Sequence, residues 1–537
     1  MPVMDPVTIE PCDVSCAIRS AHNWKSPGPD GLPNFWIKWF KSSHFCLAAQ
    51  FQAAIDLGSL PTFMTTGVTH LLFKSGCTTE AKNYRPITCL PTLYKLLTSI
   101  LSSKLTKHLK DLLAKTQNGC RPGSRGTKEL LLIDMTINQQ GDSLSPLWFC
   151  LALNPLSTLL NESRLGFQLR RGGAVISHLL YMDDLKLFAS KKTDLVELLK
   201  ITEKFSSSIE MEFGVEKCAV MYVQRGRVAS SDGLQLTESM SFRSLSEGET
   251  YKYLGISRSL GIVDEDVKHL IKARFFGRLR KVLNSLLSGG NKFRAFNSWV
   301  MPSLTYSFGI LRWTQTELDI LDRRVRCMLT THRMHHLRSS VMRLYIPRKC
   351  GGRGLLNAKD MHNREVYNLR EYFLKIDEEI HRDVVSVDKG LTPLSLNNEN
   401  WRKHSVLSTS ERLDIWKSKE LHGRFYRALH GPDVDLPASV NWQRFGDLFG
   451  ETEGFVCAIM DEVIKTNNYR KYIMRDGTLD VCRLCHCPGE SLRHVTSGCS
   501  RLANSEYLHR HNSPRALQVR MIPTHEAEAA VALVGNR

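Results

Sequence analysis

Between His178 and Ser190 the chain reads HLLYMDDLKLFAS, two short apolar runs with adjacent carboxylates, Asp183 and Asp184, between them. Runs of that length and spacing predict a β-hairpin with the acids at its tip. Paired acids do not stabilise an apolar hairpin, because carboxylates left unpaired beside a core cost free energy. An Asp-Asp dipeptide alone is most often a solvated turn. Framed by Leu179, Leu180, Leu185, Leu187 and Phe188, it points instead to a hard divalent cation. Mg²⁺ takes carboxylate oxygens together with substrate phosphates, and two such ions clamp the attacking and leaving oxygens of phosphoryl transfer.

The rest of the chain reads as a mixture of helices and strands, an α+β class. Residues 11–60 read as two amphipathic helices, separated by the turn-forming loop Lys25-Ser26-Pro27-Gly28-Pro29-Asp30-Gly31. Residues 66–76 read as a strand and turn. Leu93, Leu96, Leu97, Ile100, Leu101, Leu105 and Leu109 have helical spacing within 92–114. Helices are expected over 143–160 and 193–212, and strands over 215–223 and 251–256. From about residue 262 the pattern is mainly helical. The length of 537 residues suggests two to four units.

Charge indicates the partner. The net charge is +18, which favours a polyanion such as nucleic acid. From Arg323 to Arg353 the chain holds Arg323, Arg324, Arg326, Arg333, Arg338, Arg343, Arg348, Lys349 and Arg353 with no acid among them. A one-sign stretch of this kind suggests a surface that tracks phosphates, against the plainer alternative of chance clustering in a basic protein. Fifteen cysteines, mostly scattered singly, predict a reducing compartment, inside the cell and either nuclear or cytoplasmic. The N-terminus lacks the basic and apolar regions of a signal peptide, and no run of about 18 apolar residues predicts a membrane span. No Gly-x-Ser-x-Gly elbow, His-Glu-x-x-His motif or Walker loop supports a hydrolase or NTPase reading. His335-His336 has no carboxylate partner nearby and reads as part of the basic face.

The hairpin segment resembles the catalytic hairpin of reverse transcriptases. Other blocks resemble that family in the same order. Asn83-Tyr84-Arg85-Pro86-Ile87 is similar to the fingers block. Gln140-Gly141-Asp142-Ser143-Leu144-Ser145-Pro146, with Leu153-Asn154-Pro155-Leu156-Ser157, is similar to the block that positions template and nucleotide. Gly214-Val215-Glu216-Lys217-Cys218 resembles the fourth palm block, and Tyr253-Leu254-Gly255 the primer-grip turn. The opening Lys25–Gly31 loop is typical of the LINE-type, non-LTR retrotransposon branch. The resemblance implies a right-hand polymerase of fingers, palm and thumb, acting on an RNA template, a DNA primer and deoxynucleoside triphosphates. It implies Mg²⁺ at Asp183 and Asp184, with Asp183 the better direct ligand. Lys74 and Arg85 match residues that contact the triphosphate, Gln140 one that supports nucleotide and template, and Lys217 a lysine proposed to protonate the leaving pyrophosphate. Arg323, Arg324, Arg326, Arg348, Lys349 and Arg353 are expected to contact nucleic acid.

One family block has no counterpart. A further metal-binding acid belongs to a strand-to-helix block of the form hydrophobic–Asp–x₃–Ala–Phe/Tyr–Asp, between the fingers and the Gln-Gly-Asp block. Here Gly126–Ile133 runs through Asp134-Met135-Thr136-Ile137-Asn138-Gln139 directly into Gln140. Asp134 lacks the following Ala-Phe-Asp, and Asp142 belongs to the next block. A two-metal site needs carboxylates converging from separate strands. The expectation is therefore an internal deletion near 134–140 and a catalytically defective palm.

The C-terminal half carries further resemblances. Leu344–Leu355 is similar to a thumb signature of the site-specific branch, and Leu421–Phe425 and Thr452–Phe455 resemble its linker helices. Cys482-x₂-Cys485-x₈-His494-x₄-Cys499 has metal-ligand spacing and predicts a closed, structural Zn²⁺ site, with His486 and Cys487 as rival ligands. It resembles the zinc knuckle preceding the nuclease in that branch. The expected organisation is an N-terminal extension (1–65), fingers and palm (66–260), thumb (261–370), helical linker (371–480), CCHC knuckle (481–515) and an unassigned tail (516–537). The resemblance stops short of a restriction-like endonuclease, and DNA-reading fingers are not seen at the start. Target-primed integration by this chain alone is not expected.

Overall fold

The structure is a computed structural model that describes residues 6–21, 23, 27–73, 77–80, 83–108, 145–181, 183–229, 231–237, 240–258 and 264–509. The chain divides into two compact units, Met1–Val263 with Ile376–Val387, and Asp264–Lys375 with Asp388–Arg537. The segment Ile376–Val387, which the sequence reading assigned to the linker, groups with the first unit.

In the first unit, helix Pro11–Ser20 starts with proline at its first position and a reciprocal Glu10–Asp13 capping box. It packs with Asn34–Trp39, Ser43–Asp56 and Thr92–His108 around Val14, Ile18, Ala48, Phe51, Leu96 and Ile100. The second helix expected before residue 60 is thus split, because Phe40 leaves helical geometry (ψ 67°). The turn between the first two helices docks on the last. Asp30 accepts the Thr92 N–H at 2.5 Å. A Cβ on Gly28 would lie 2.1 Å from the Leu90 carbonyl oxygen, so only glycine fits that approach. Strand Val68–Phe73 pairs antiparallel with Tyr84–Cys89, from Val68 opposite Cys89 to Phe73 opposite Tyr84.

Helix Ser145–Glu162 supplies the platform for the carboxylate hairpin. Strands His178–Tyr181 and Asp184–Leu187 pair antiparallel, with Tyr181 opposite Asp184 and His178 opposite Leu187. Alternation along the second strand sends Leu185 and Leu187 into a cluster with Leu156 and Leu160 of the platform helix and Leu198 of helix Lys192–Ser208. The expected strand over 215–223 is reduced. Val215–Lys217 is a 3₁₀ turn, Ala219–Val220 joins a small sheet, parallel to Arg243–Ser244, and Val223–Gln224 pairs separately with Arg227–Val228. Tyr251–Tyr253 forms a hairpin with Ile256–Arg258. Helix Glu379–Val387 contributes Asp383, a buried carboxylate that accepts the Ala174 N–H at 2.7 Å and pairs with Arg170.

The second unit is helical, and its core contains charge. Arg343 Nη1 lies 3.1 Å from Asp461 Oδ1, with both side chains 1% exposed. The Arg343 guanidinium also covers the rings of Trp416 and Phe425 at 5.3 and 5.0 Å. Asp461 accepts the Ser340 N–H at 3.0 Å with its other oxygen. Nearby, Glu453 receives Arg348 at 2.7 Å and Arg353 at 3.0 Å. Breaking one side of such a pair leaves a buried charge without compensation. Asp461→Asn should therefore destabilise this unit by about 3–5 kcal/mol, read as a lower urea midpoint. An unchanged midpoint would mean that the pair contributes nothing.

Candidate functional site

The hairpin reaches its position by polar as well as apolar anchoring. His178, fully buried, bridges two hydroxyls: Nε2 is 2.6 Å from Ser157 Oγ on the platform helix, and Nδ1 is 2.8 Å from Ser177 Oγ. Burial pushes the His178 pKa down to about 4, so the ring is neutral near pH 7 and serves as one donor and one acceptor. The hairpin tip projects from this anchored base. Asp183 is exposed in the turn and Asp184 is half-buried. Burial, followed by the charge of Asp183, raises the Asp184 pKa to about 6. Two carboxylates forced together with one partly desolvated form a site that favours a cation.

The second strand of the hairpin also touches its neighbour. Lys186 Nζ donates to Tyr251 Oη at 2.8 Å and lies 5.2 Å from the ring centroids of Tyr251 and Tyr253. The sequence reading missed this group. Its signal was the lysine set between Leu185 and Leu187, with Tyr-Lys-Tyr downstream at 251–253.

Of the other site residues expected from sequence, Lys217 has a described side chain. Lys217 is exposed and its ammonium lies 3.3 Å from Glu216 next to it. Lys74, Gln140, Asp134 and Asp142 lie outside the described residues, as does the side chain of Arg85, whose backbone pairs with Leu72. Among the described residues, Asp183 and Asp184 are joined by no third His, Cys, Asp or Glu in a group that could hold a metal.

The structure corrects part of the basic stretch. Arg348 and Arg353 do not form a phosphate-facing surface, because both turn inward onto Glu453. The local absence of acids is offset by acids about a hundred residues downstream, which a window along the sequence does not contain. His335 is likewise buried rather than part of a basic face, and desolvation pushes its pKa down to about 3. Arg326 is half-buried and donates to Tyr345 Oη at 2.9 Å. Arg323, Arg324 and Lys349 are exposed, and Arg324 stacks on the Phe276 ring at 4.2 Å.

The C-terminal cluster is assembled. One ligand atom from each of Cys482, Cys485, His494 and Cys499 lies within 4.8 Å of all the others. Cys482 Sγ is 3.9 Å from Cys499 Sγ, and Cys485 Sγ is 3.3 Å from His494 Nε2. Metal–sulfur bonds of about 2.3 Å in a tetrahedron give sulfur–sulfur edges of about 3.8 Å, so the donor set fits a Zn²⁺-sized ion. A backbone hydrogen bond involving Cys487 leads the effects that hold the Cys485 thiol below its ordinary pKa. Tyr507 Oη closes the far side, accepting the Cys499 N–H at 3.2 Å and donating toward Val495 O at 3.0 Å. His486 and Cys487, the rival ligands, are not in the group. Among the described residues no helix is long and apolar enough to cross a membrane.

Because the folded pKa of Asp184 exceeds its unfolded value, the native state binds more protons between pH 4 and 6. Its stability contribution is present below about pH 4 and lost as pH rises through about 6. Asp184→Asn should raise the melting temperature of metal-free protein at pH 8, with the gain vanishing by pH 4. A gain independent of pH would refute the assigned burial of this carboxylate.

The family model for reverse transcriptase (RNA-dependent DNA polymerase) matches residues 133–257. The match includes the carboxylate hairpin and the 251–258 hairpin's turn, and leaves out Asn83–Ile87. The retrovirus-related Pol polyprotein from type-1 retrotransposable element R2 of Popillia japonica is 28% identical over 206 residues, 37% of this chain and 32% of that protein. The Transposon TX1 uncharacterized 149 kDa protein of Xenopus laevis is 32% identical over 122 residues, 22% of this chain and 9% of that protein. The chain thus spans a third or less of either relative.

Proposed function

We propose that this chain, whose residues 133–257 carry a reverse transcriptase domain of the non-LTR retrotransposon type, is an RNA-directed DNA polymerase by descent that binds nucleic acid and has lost nucleotide incorporation. The hairpin would be part of its palm, residues 261–370 its thumb, and the ribbon 68–89 part of its fingers. Asp183 and Asp184 would hold Mg²⁺, which supplies the charge that stabilises a transferring phosphoryl group. Lys74, Arg85, Gln140 and Lys217 are the residues assigned to the incoming triphosphate and template. The single observation that carries the loss of activity is the sequence join at Asp134–Gln140, where the block bearing the further acid is missing.

A second reading, a non-enzymatic RNA- or DNA-binding protein, is favoured by the exposed cations Arg323, Arg324 and Lys349 and by the assembled Cys₂-His-Cys cluster. In either reading that cluster holds Zn²⁺ structurally.

Primer extension on an RNA template with Mg²⁺ separates these activities. The natural chain and an Asp183→Ala, Asp184→Ala variant should both give no product, while both bind RNA with an affinity that falls as salt rises. Extension by the natural chain alone would overturn the loss of activity and require Asp134 or Asp142 to complete the metal site. For the cluster, cobalt substitution should give thiolate charge-transfer bands that Cys485→Ser diminishes and Cys487→Ser leaves intact. The reverse pattern would make Cys487 the ligand.

A further inference from the structure

Two hairpins of the first unit meet at one ammonium group. Leu185 and Leu187 face the cluster on the platform helix, so strand alternation turns Asp184 and Lys186 to the opposite face. On that face Lys186 Nζ is surrounded by three rings, at 5.2 Å from Tyr251, 5.2 Å from Tyr253 and 5.4 Å from Phe188. It also donates to the Tyr251 hydroxyl at 2.8 Å. Rings at such distances attract a cation through their quadrupoles, most strongly where water is excluded. Tyr253 is 7% exposed, and its hydroxyl has no hydrogen-bond partner among the described residues. Burial first, then the charge of Asp184, raises the Tyr253 pKa, so the phenol stays protonated beside the carboxylate hairpin. The strand bearing both tyrosines turns at Leu254 and Gly255, each with positive φ (53° and 82°), into Ile256–Arg258. Three residue pairs hold this short hairpin together, and an isolated two-stranded hairpin is marginal in water. The fit onto Lys186 supplies a tie that its own ladder does not.

We propose that Lys186 is a positioning residue that latches the 251–258 hairpin against the carboxylate hairpin, so that a primer terminus held by the first is aligned with Asp183 and Asp184 on the second. What the latch aligns rests on the proposed function; the latch itself does not. Lysine suits the position because its four-carbon stem crosses from one hairpin to the other while its ammonium both donates and stacks. Methionine would keep the length and apolar contact and lose both interactions. Arginine would keep a cation over the rings.

The test uses the full chain with Lys186, Lys186→Met or Lys186→Arg, in two measurements. Hydrogen exchange of peptides covering 251–258 should quicken about tenfold in Lys186→Met, with peptides from helix Lys192–Ser208 unchanged, and return toward the natural rate in Lys186→Arg. Affinity for an RNA template with a recessed DNA primer should fall about tenfold in Lys186→Met, while affinity for single-stranded RNA of equal length holds. Unchanged exchange at 251–258, or no rescue by arginine, would overturn the latch. Quickened exchange in a chain that shows no preference for the recessed primer would leave the latch standing and sink the polymerase reading. Should Lys186→Met fail to fold, Tyr251→Phe carries the test. It removes only the hydroxyl and should shift exchange in the same direction, and no shift would overturn the proposal.

Discussion

The first unit depends on how one hairpin sits on one helix. Leu185 and Leu187 bury against Leu156 and Leu160, while His178 spans Ser157 and Ser177. The apolar contacts supply most of the adhesion, roughly 1.5–3 kcal/mol for each leucine fully buried. The histidine supplies register. A slip by one residue would turn the leucines toward solvent and strand a buried imidazole without partners. The two constraints therefore select the same alignment, and it is the one that leaves Asp183 and Asp184 at the free end. The acids are positioned by residues that never touch them.

The second unit solves a different problem. Its interior holds Arg343, Arg353 and most of Arg348, each stacked on aromatic rings and paired with Asp461 or Glu453. Burying an ion pair seldom adds net stability over an apolar pair of the same volume, whereas losing one partner is costly. Such an arrangement specifies geometry more than it contributes adhesion. Here it ties residues 340–353 to 453–461, so that the Gly351–Gly354 turn is fixed from both ends. Gly352 is required there, since a Cβ would stand 2.1 Å from the Ile346 carbonyl oxygen.

Local pattern made some of this legible and left some out of reach. The carboxylate hairpin, the helices over 92–108, 145–162 and 192–208, and the Cys₂-His-Cys set all follow from spacing alone, because strand alternation, helical periodicity and ligand spacing are short-range properties. The inward turn of Arg348 and Arg353 was not legible, since the deciding partner, Glu453, lies 100 or more residues away. A one-sign window reports on charge along the chain and not on charge in space. The strand expected over 215–223 broke up for a related reason: a β-prone run becomes a ladder only where a partner strand meets it, and Ala219–Val220 and Val223 meet different partners. The Lys186 site lay between these extremes. Its residues were visible, but their meeting required two hairpins 65 residues apart to stack.

Taken together, these features separate what holds the carboxylates in place from what would make them work. The anchoring leucines, His178 and the Lys186 contacts hold the hairpin at its base and along one face. The charge at its tip is another matter. Asp184 sits half-buried with a raised pKa, and Lys186 on its own face donates to Tyr251 and lies beside the Tyr251 and Tyr253 rings. A second carboxylate at such a tip is tolerable when divalent cations neutralise it, and those cations need further ligands from another strand. On the proposed reading, loss of such a strand removes ligands that would balance the charge at the tip, while the contacts at the base of the hairpin, Leu185, Leu187 and His178, remain.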